Sequence, residues 1–169
     1  MKHIILLTVT FLSISLSAQE KFNIGLIGFY NLENLFDTIN QHNVVDDEFT
    51  PDGKRRYTGE VYRDKLSQLE KVISELGTDH SPDGIAVLGV CEVENRSVLK
   101  DLVRKEKLKK RNYKIVHYDS RDLRGIDVGL LYNPKYFRVL KSKSIYVDIL
   151  DISRRPTRDI LYVHGLFMG

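Results

Sequence analysis

Polar side chains able to do chemistry gather where apolar runs begin or stop. Asn31-Leu32-Glu33-Asn34 follows the run from Phe22 to Phe29, Glu92-Val93-Glu94-Asn95 follows Ile85 to Cys91, and Arg124-Gly125-Ile126-Asp127 leads into a run ending at Tyr132. Carboxylates beside amide oxygens, with few sulfur or imidazole donors, suit a hard divalent cation such as Mg²⁺. Such a cation clamps phosphate oxygens, and arginines hold a phosphate through paired hydrogen bonds. On residue types alone the pattern implies a metal and phosphate site. The blander alternative stands beside it with equal weight, because a carboxylate at a strand end also serves as a helix N-terminal group favoured by the macrodipole.

Residues at strand ends share a rim only if the strands lie side by side in a rigid scaffold. Phe22 to Phe29 has no helical period and reads as a buried strand. Residues 38–56 read as a polar loop, and a loop of that length inside a domain is often functional. Its acidic trio Asp46-Asp47-Glu48 would bind a second cation or, as the favoured reading, remain a solvated acidic loop. From Thr58, Tyr62, Leu66, Leu69, Val72/Ile73 and Leu76 recur at helical spacing up to Gly77. Ile85 to Cys91 is a continuous apolar run of strand length, and Val98, Leu99, Leu102 and Val103 define a second helix. Lys100 to Arg111 holds seven basic residues against two acids, read as a solvated helix face and terminus in preference to a nucleic-acid surface. Tyr113 to Tyr118, Ile126 to Tyr132, Phe137 to Leu140, Ser144 to Ile149 and Ile160 to Phe167 read as further strands. This order predicts an α/β layered fold.

The chain has 169 residues, 26 Lys+Arg against 23 Asp+Glu, 42% hydrophobic and 29% charged residues, and one cysteine. That composition excludes a disordered or collagen-like chain and any intrachain disulfide framework. A net charge of +3 does not by itself imply nucleic-acid binding. Met1-Lys2-His3, the apolar stretch Ile4 to Leu16 and the small residues Ser15, Ser17 and Ala18 read as a cleavable signal peptide over residues 1–18. The stretch is shorter than the ~20 residues a transmembrane helix needs. An exported protein, secreted or periplasmic and without a membrane span, is therefore expected. Cys91, in apolar company, reads as a small hydrophobe rather than a nucleophile.

Phe29-Tyr30-Asn31-Leu32-Glu33-Asn34-Leu35-Phe36-Asp37 and Pro82-Asp83-Gly84-Ile85, leading into Gly89-Val90-Cys91-Glu92-Val93-Glu94-Asn95, resemble the opening signatures of the endonuclease/exonuclease/phosphatase family. Arg124-Gly125-Ile126-Asp127-Val128-Gly129-Leu130-Leu131-Tyr132 and Arg155-Pro156-Thr157-Arg158-Asp159-Ile160-Leu161 resemble its next two. The resemblance implies a four-layer α/β sandwich of the deoxyribonuclease I type and hydrolysis of phosphate esters with a divalent metal, Mg²⁺ or in its place Mn²⁺ or Ca²⁺. By position, Glu92 matches the family's metal-binding glutamate, and Asn31 the asparagine that orders metal and phosphate. Asp127 is implied as an orienting catalytic residue, and Arg158 and Arg124 as phosphate contacts. Glu33 and Glu94 either add to the acidic pocket or are ordinary surface carboxylates.

The resemblance also implies what is missing. The family's catalytic histidine, its Gly-Asp-x-Asn segment and its late Asp-His pair have no counterpart; His3, His42, His80, His117 and His164 sit in other contexts. Residues 19–169 therefore read as the N-terminal part of a sandwich domain, a fold that commonly runs to ~200–250 residues. A monomer inactive alone is expected, whose complete form hydrolyses phosphodiesters in nuclease-like fashion by in-line attack of water. The alternatives are a non-catalytic exported binding module and a phospholipid or inositol-phosphate phosphoesterase.

Overall fold

The computed structural model describes residues 24–42, 44–147 and 156–167. The expected signal peptide, Arg155, and the end of the strand anticipated to Ile149 lie outside the described residues. Four strands form one sheet in the order β1-β2-β4-β3: β1 (Leu26–Leu35), β2 (Ile85–Val93), β3 (Lys114–His117) and β4 (Asp127–Tyr132). β1 and β2 are parallel, as the intervening helix requires, whereas β4 runs antiparallel to both β2 and β3. A hairpin of β5 (Phe137–Ile145) and β6 (Ile160–Phe167) makes a second, two-stranded sheet.

Helix α1 (Gly59–Glu75) starts where Thr58 accepts a hydrogen bond from the Val61 amide, which satisfies one of the free first-turn donors. It stops at Gly77, whose φ of 73° ends the helix in the left-handed region. Its buried stripe is Leu66, Leu69 and Ile73, as the spacing predicts. Helix α2 (Arg96–Arg104) is capped by Asn95, whose Oδ1 accepts from Ser97 N at 2.7 Å and Val98 N at 3.2 Å. A single turn, α3 (Glu106–Lys109), follows. The basic stretch around it is mostly exposed, as expected, but Arg111 turns inward: its guanidinium donates to the carbonyls of Ile73 and Ser74 at the end of α1.

Alternation sorts the sheet's two faces. Leu88, Val90, Val93 and Leu131 face the helices and form the main core with Leu66, Leu69, Ile73, Val98, Leu99 and Leu102. Burying each such side chain contributes on the order of 2 kcal/mol. The opposite face carries Phe29, Gly89, Val128 and Leu130, and across a cavity of 450 Å³ it meets Ile160, Leu161 and Val163 of the hairpin. The order is thus helices, sheet, hairpin. The expected α/β class is found, with three of the sandwich's layers among the described residues.

Two expectations change. Phe137 to Ile145 is one strand rather than two: after a register shift at Leu140, Lys141, Ser142 and Lys143 pair with His164, Val163 and Tyr162 of β6. The loop after β1 has its own small core: Phe36 stacks on Phe49 at 3.9 Å, and Tyr57 and Ile126 close it.

Candidate functional site

The strand ends are irregular where the chemistry was expected. Asn31 of β1 is in register with Cys91 of β2, and the next matched pair is Leu35 with Val93. Three residues of β1 therefore bulge against one of β2. Within the bulges Glu33, Asn34 and Glu92 all adopt left-handed backbone, with φ of 52°, 60° and 58°. Each non-glycine residue held so costs about 1 kcal/mol or more, and such residues cluster at functional sites. The surroundings hold the bend: Asn31 Oδ1 accepts from Glu33 N at 2.7 Å, Lys65 of α1 donates to Glu33 O at 2.9 Å, and Glu94 N donates to Leu35 O.

Asn31 is exposed and Glu92 half-buried on this rim, neighbours through the Asn31–Cys91 pair. Burial raises the Cys91 thiol above its ordinary pKa, the Glu92 charge adds to this, and Arg158 opposes it. Cys91 is thus a protonated, half-buried wall residue and no nucleophile. The Arg158 charge is thus felt at the β2 end.

The two arginines meet on one carboxylate. Asp122, 4% exposed, accepts from Arg124 Nε at 2.9 Å and Nη2 at 2.6 Å, and Arg158 Nε lies 4.0 Å from its Oδ2. Burial alone would raise the Asp122 pKa, but the Arg124 hydrogen bonds and the charges of Arg124 and Arg158 outweigh it and hold the carboxyl below its usual range. Two cations share one anion beside a cavity of 530 Å³ lined by Val45, Asp122, Leu123, Arg124, Pro156 and Thr157, and the Glu92 charge also acts on Arg124. Asp122 carried no motif and is found only through the fold. Its one sequence cue is an Asp two residues before an Arg in a charged loop.

Asp127 stands apart from Asn31. In register it shares the helix-facing side with Gly129 and Leu131, whereas Asn31 and Phe29, paired with Cys91 and Gly89, share the other. Its Oδ1 accepts from Ser120 N at 2.8 Å, fastening the loop that carries Asp122 and Arg124. Glu33 is exposed. Glu94 is 3% exposed and accepts from Asp37 N at 2.5 Å and Gln41 Nε2 at 2.8 Å. Burial, with Asp37 and Asp46 nearby, pushes its pKa up to about 7 against those hydrogen bonds. The acidic trio does not converge: Asp46 is buried and accepts from Gln41 N, Asp47 is exposed, and Glu48 pairs with Arg55 at 3.0 Å. Among the described residues the one His, Cys, Asp and Glu group with converging ligand atoms is His117, Asp119 and Asp127. Sequence reasoning passed over it because His117 fits no family motif.

No curated protein matches the chain. A solved structure, the crystal structure of an endonuclease/exonuclease/phosphatase family protein from Bacteroides thetaiotaomicron, is similar over 65% of this chain at 16% identity, with a TM-score of 0.42. The similarity spans 41% of that protein's chain. The model of the endonuclease/exonuclease/phosphatase family matches residues 26–169; the chain belongs to that family.

Proposed function

We propose that this chain supplies the metal- and phosphate-binding side of an exported, divalent-metal phosphoesterase acting on phosphodiesters. The observation that carries the reading is the paired bulge. Three non-glycine residues are held left-handed at adjacent strand ends, and that rim offers Glu92 and Asn31. Their donors are all oxygen, one carboxylate and one amide, which fits Mg²⁺. Bound there, such a cation would supply positive charge to a phosphoryl oxygen.

The chain's own residues do the positioning. Arg158 and Arg124 hold phosphate oxygens; Asp122 fixes the Arg124 guanidinium through two hydrogen bonds, so that side chain has little freedom left to lose on binding, and its charge draws Arg158 to the same place. Asp127 acts one step behind them, because its bond to Ser120 N sets the course of the 118–126 loop. In-line attack depends on alignment and charge stabilisation. The chain offers no counterpart of the family's histidine or Gly-Asp-x-Asn aspartate to activate water. Binding without turnover is therefore the activity proposed for residues 19–169.

The test is calorimetry with Mg²⁺ on residues 19–169, followed by a Mg²⁺-dependent assay on DNA and a chromogenic phosphodiester. Expected are Mg²⁺ binding lost in Glu92→Ala, inorganic phosphate binding weakened at least tenfold in Arg158→Ala, and no hydrolysis. Absence of Mg²⁺ binding overturns the site. Hydrolysis that disappears in Glu92→Ala overturns the claim of inactivity.

A further inference from the structure

His117, the last residue of β3, lies in register with Gly129 of β4, and Asp127, two residues before Gly129 at the start of β4, is on the same helix-facing side. Asp119 enters from the following loop. One ligand atom from each of the three lies within 4.8 Å of the others. His117 Nε2 is 3.1 Å from Asp127 Oδ2, and its Nδ1 is 3.8 Å from Asp119 Oδ1.

The imidazole is buried with one nitrogen unbonded. Its side chain is 2% exposed, and Nε2 forms no hydrogen bond although Asp127 Oδ2 lies 3.1 Å away. A buried polar atom without a hydrogen bond is costly, and a water or an ion held between it and the carboxylate would satisfy both. Asp127 Oδ1 is already taken by Ser120 N, which leaves Oδ2 turned toward the imidazole. Asp119, 88% exposed at its side chain, provides the way in for an ion.

We propose that His117, Asp119 and Asp127 bind a zinc-class divalent cation, at a site separate from the oxygen-only rim of Glu92 and Asn31. One imidazole nitrogen with two carboxylates is a donor set for a transition ion, whereas Mg²⁺ takes oxygens and keeps its water. Three protein ligands leave a position for water. The ion would bridge the end of β3, the start of β4 and the loop between them. That loop carries Asp122 and Arg124, so occupancy would stiffen the mount of the arginine pair. The site does not depend on the chain being a phosphoesterase.

The probe is Zn²⁺ alone, titrated by calorimetry into the intact chain with Mg²⁺ in excess. Co²⁺ in parallel reports nitrogen and oxygen ligation through its visible absorption. One equivalent of Zn²⁺ is expected, indifferent to Mg²⁺, and Tm should rise with Zn²⁺ concentration as for any ligand of the folded state. Asp119→Asn should weaken binding at least tenfold and His117→Gln abolish it, whereas Glu92→Ala should leave it unchanged. Should His117→Gln fail to fold, Asp119→Asn decides alone, because its side chain is exposed. No saturable Zn²⁺ binding overturns the inference. So does binding that survives Asp119→Asn at full strength, or binding that is lost in Glu92→Ala.

Discussion

Glu94→Gln should remove one identifiable fall in stability between pH 5 and pH 8. Glu94 is almost wholly buried at the junction of β2 and α2, and Asp37 and Asp46 add repulsion to the loss of water. Its hydrogen bonds from Asp37 N and Gln41 recover part of that cost, and the folded pKa settles at about 7 against 4.5 in an exposed carboxyl. The folded state thus binds the proton more tightly than the unfolded chain does. Below pH 4.5 both states carry the proton and the group's contribution is complete. From there to pH 7 the unfolded carboxyl ionises while the folded one does not, and stability falls. Above pH 7 both are ionised and the loss is finished. At about 1.4 kcal/mol per pKa unit, the span from pH 5 to pH 8 removes on the order of 2–3 kcal/mol. The assay is urea unfolding at pH 5, 6, 7 and 8 in EDTA, so that no cation at Glu92 enters the linkage. Comparing wild type with Glu94→Gln at each pH cancels the other titrating groups, and any constant penalty from the amide's single acceptor drops out of the slope. The variant should gain on wild type by about 2–3 kcal/mol between pH 5 and pH 8. An offset that does not change with pH refutes the reasoning, as does one that changes in the opposite direction.

Glu92→Gly should leave stability equal or raise it by about 1 kcal/mol, because glycine accepts the φ of 58° without a Cβ clash. The same variant should lose Mg²⁺ affinity at least tenfold, so urea unfolding and calorimetry must move independently. Asn95→Ala removes the acceptor for Ser97 N and Val98 N and should cost about 1 kcal/mol in urea unfolding. Asn95→Asp should recover most of it.

What the sequence made legible follows from what a side chain can signal. Helix α1 was readable because its apolar residues recur at one period and Thr58 and Gly77 mark its ends. The strand Ile85 to Cys91 was readable as an unbroken apolar run. The continuation of β1 through Asn31 to Leu35 was not, because Asn-Leu-Glu-Asn looks like the end of a strand. The strand survives there only by bulging, with Leu32 and Leu35 kept in the core while Glu33 and Asn34 turn left-handed. A glycine would have announced that backbone; glutamate does not, and Glu92 is silent for the same reason. Strand β5 was split because Lys141-Ser142-Lys143 lacks an apolar residue to sustain the alternation, a gap tolerated in an exposed hairpin whose pairing is supplied by β6. The loop of residues 38–56 hid its aromatic core among charges, so Phe36, Phe49 and Tyr57 were never seen as one cluster.

The site divides along the same line. Asn31, Glu92, Asp127, Arg124 and Arg158 were nameable because each stands in a local string. Their relations were not nameable, because those relations depend on pairing between distant segments. Asp122 joins Arg124, two residues away, to Arg158 from beyond β5, and only the packing of the hairpin against the sheet brings the second guanidinium in. Asp127 and Asn31 came from equally good motifs, yet the pleat assigns them to opposite faces. That separates a residue that steadies a loop from one placed on the rim where the proposed cation would bind. Antiparallel pairing of β3 with β4 likewise turns His117 and Asp127, each unremarkable along the chain, into neighbours 3.1 Å apart with a buried nitrogen left open. In this chain a motif marks a candidate, but strand register decides which candidates can act on the same atom.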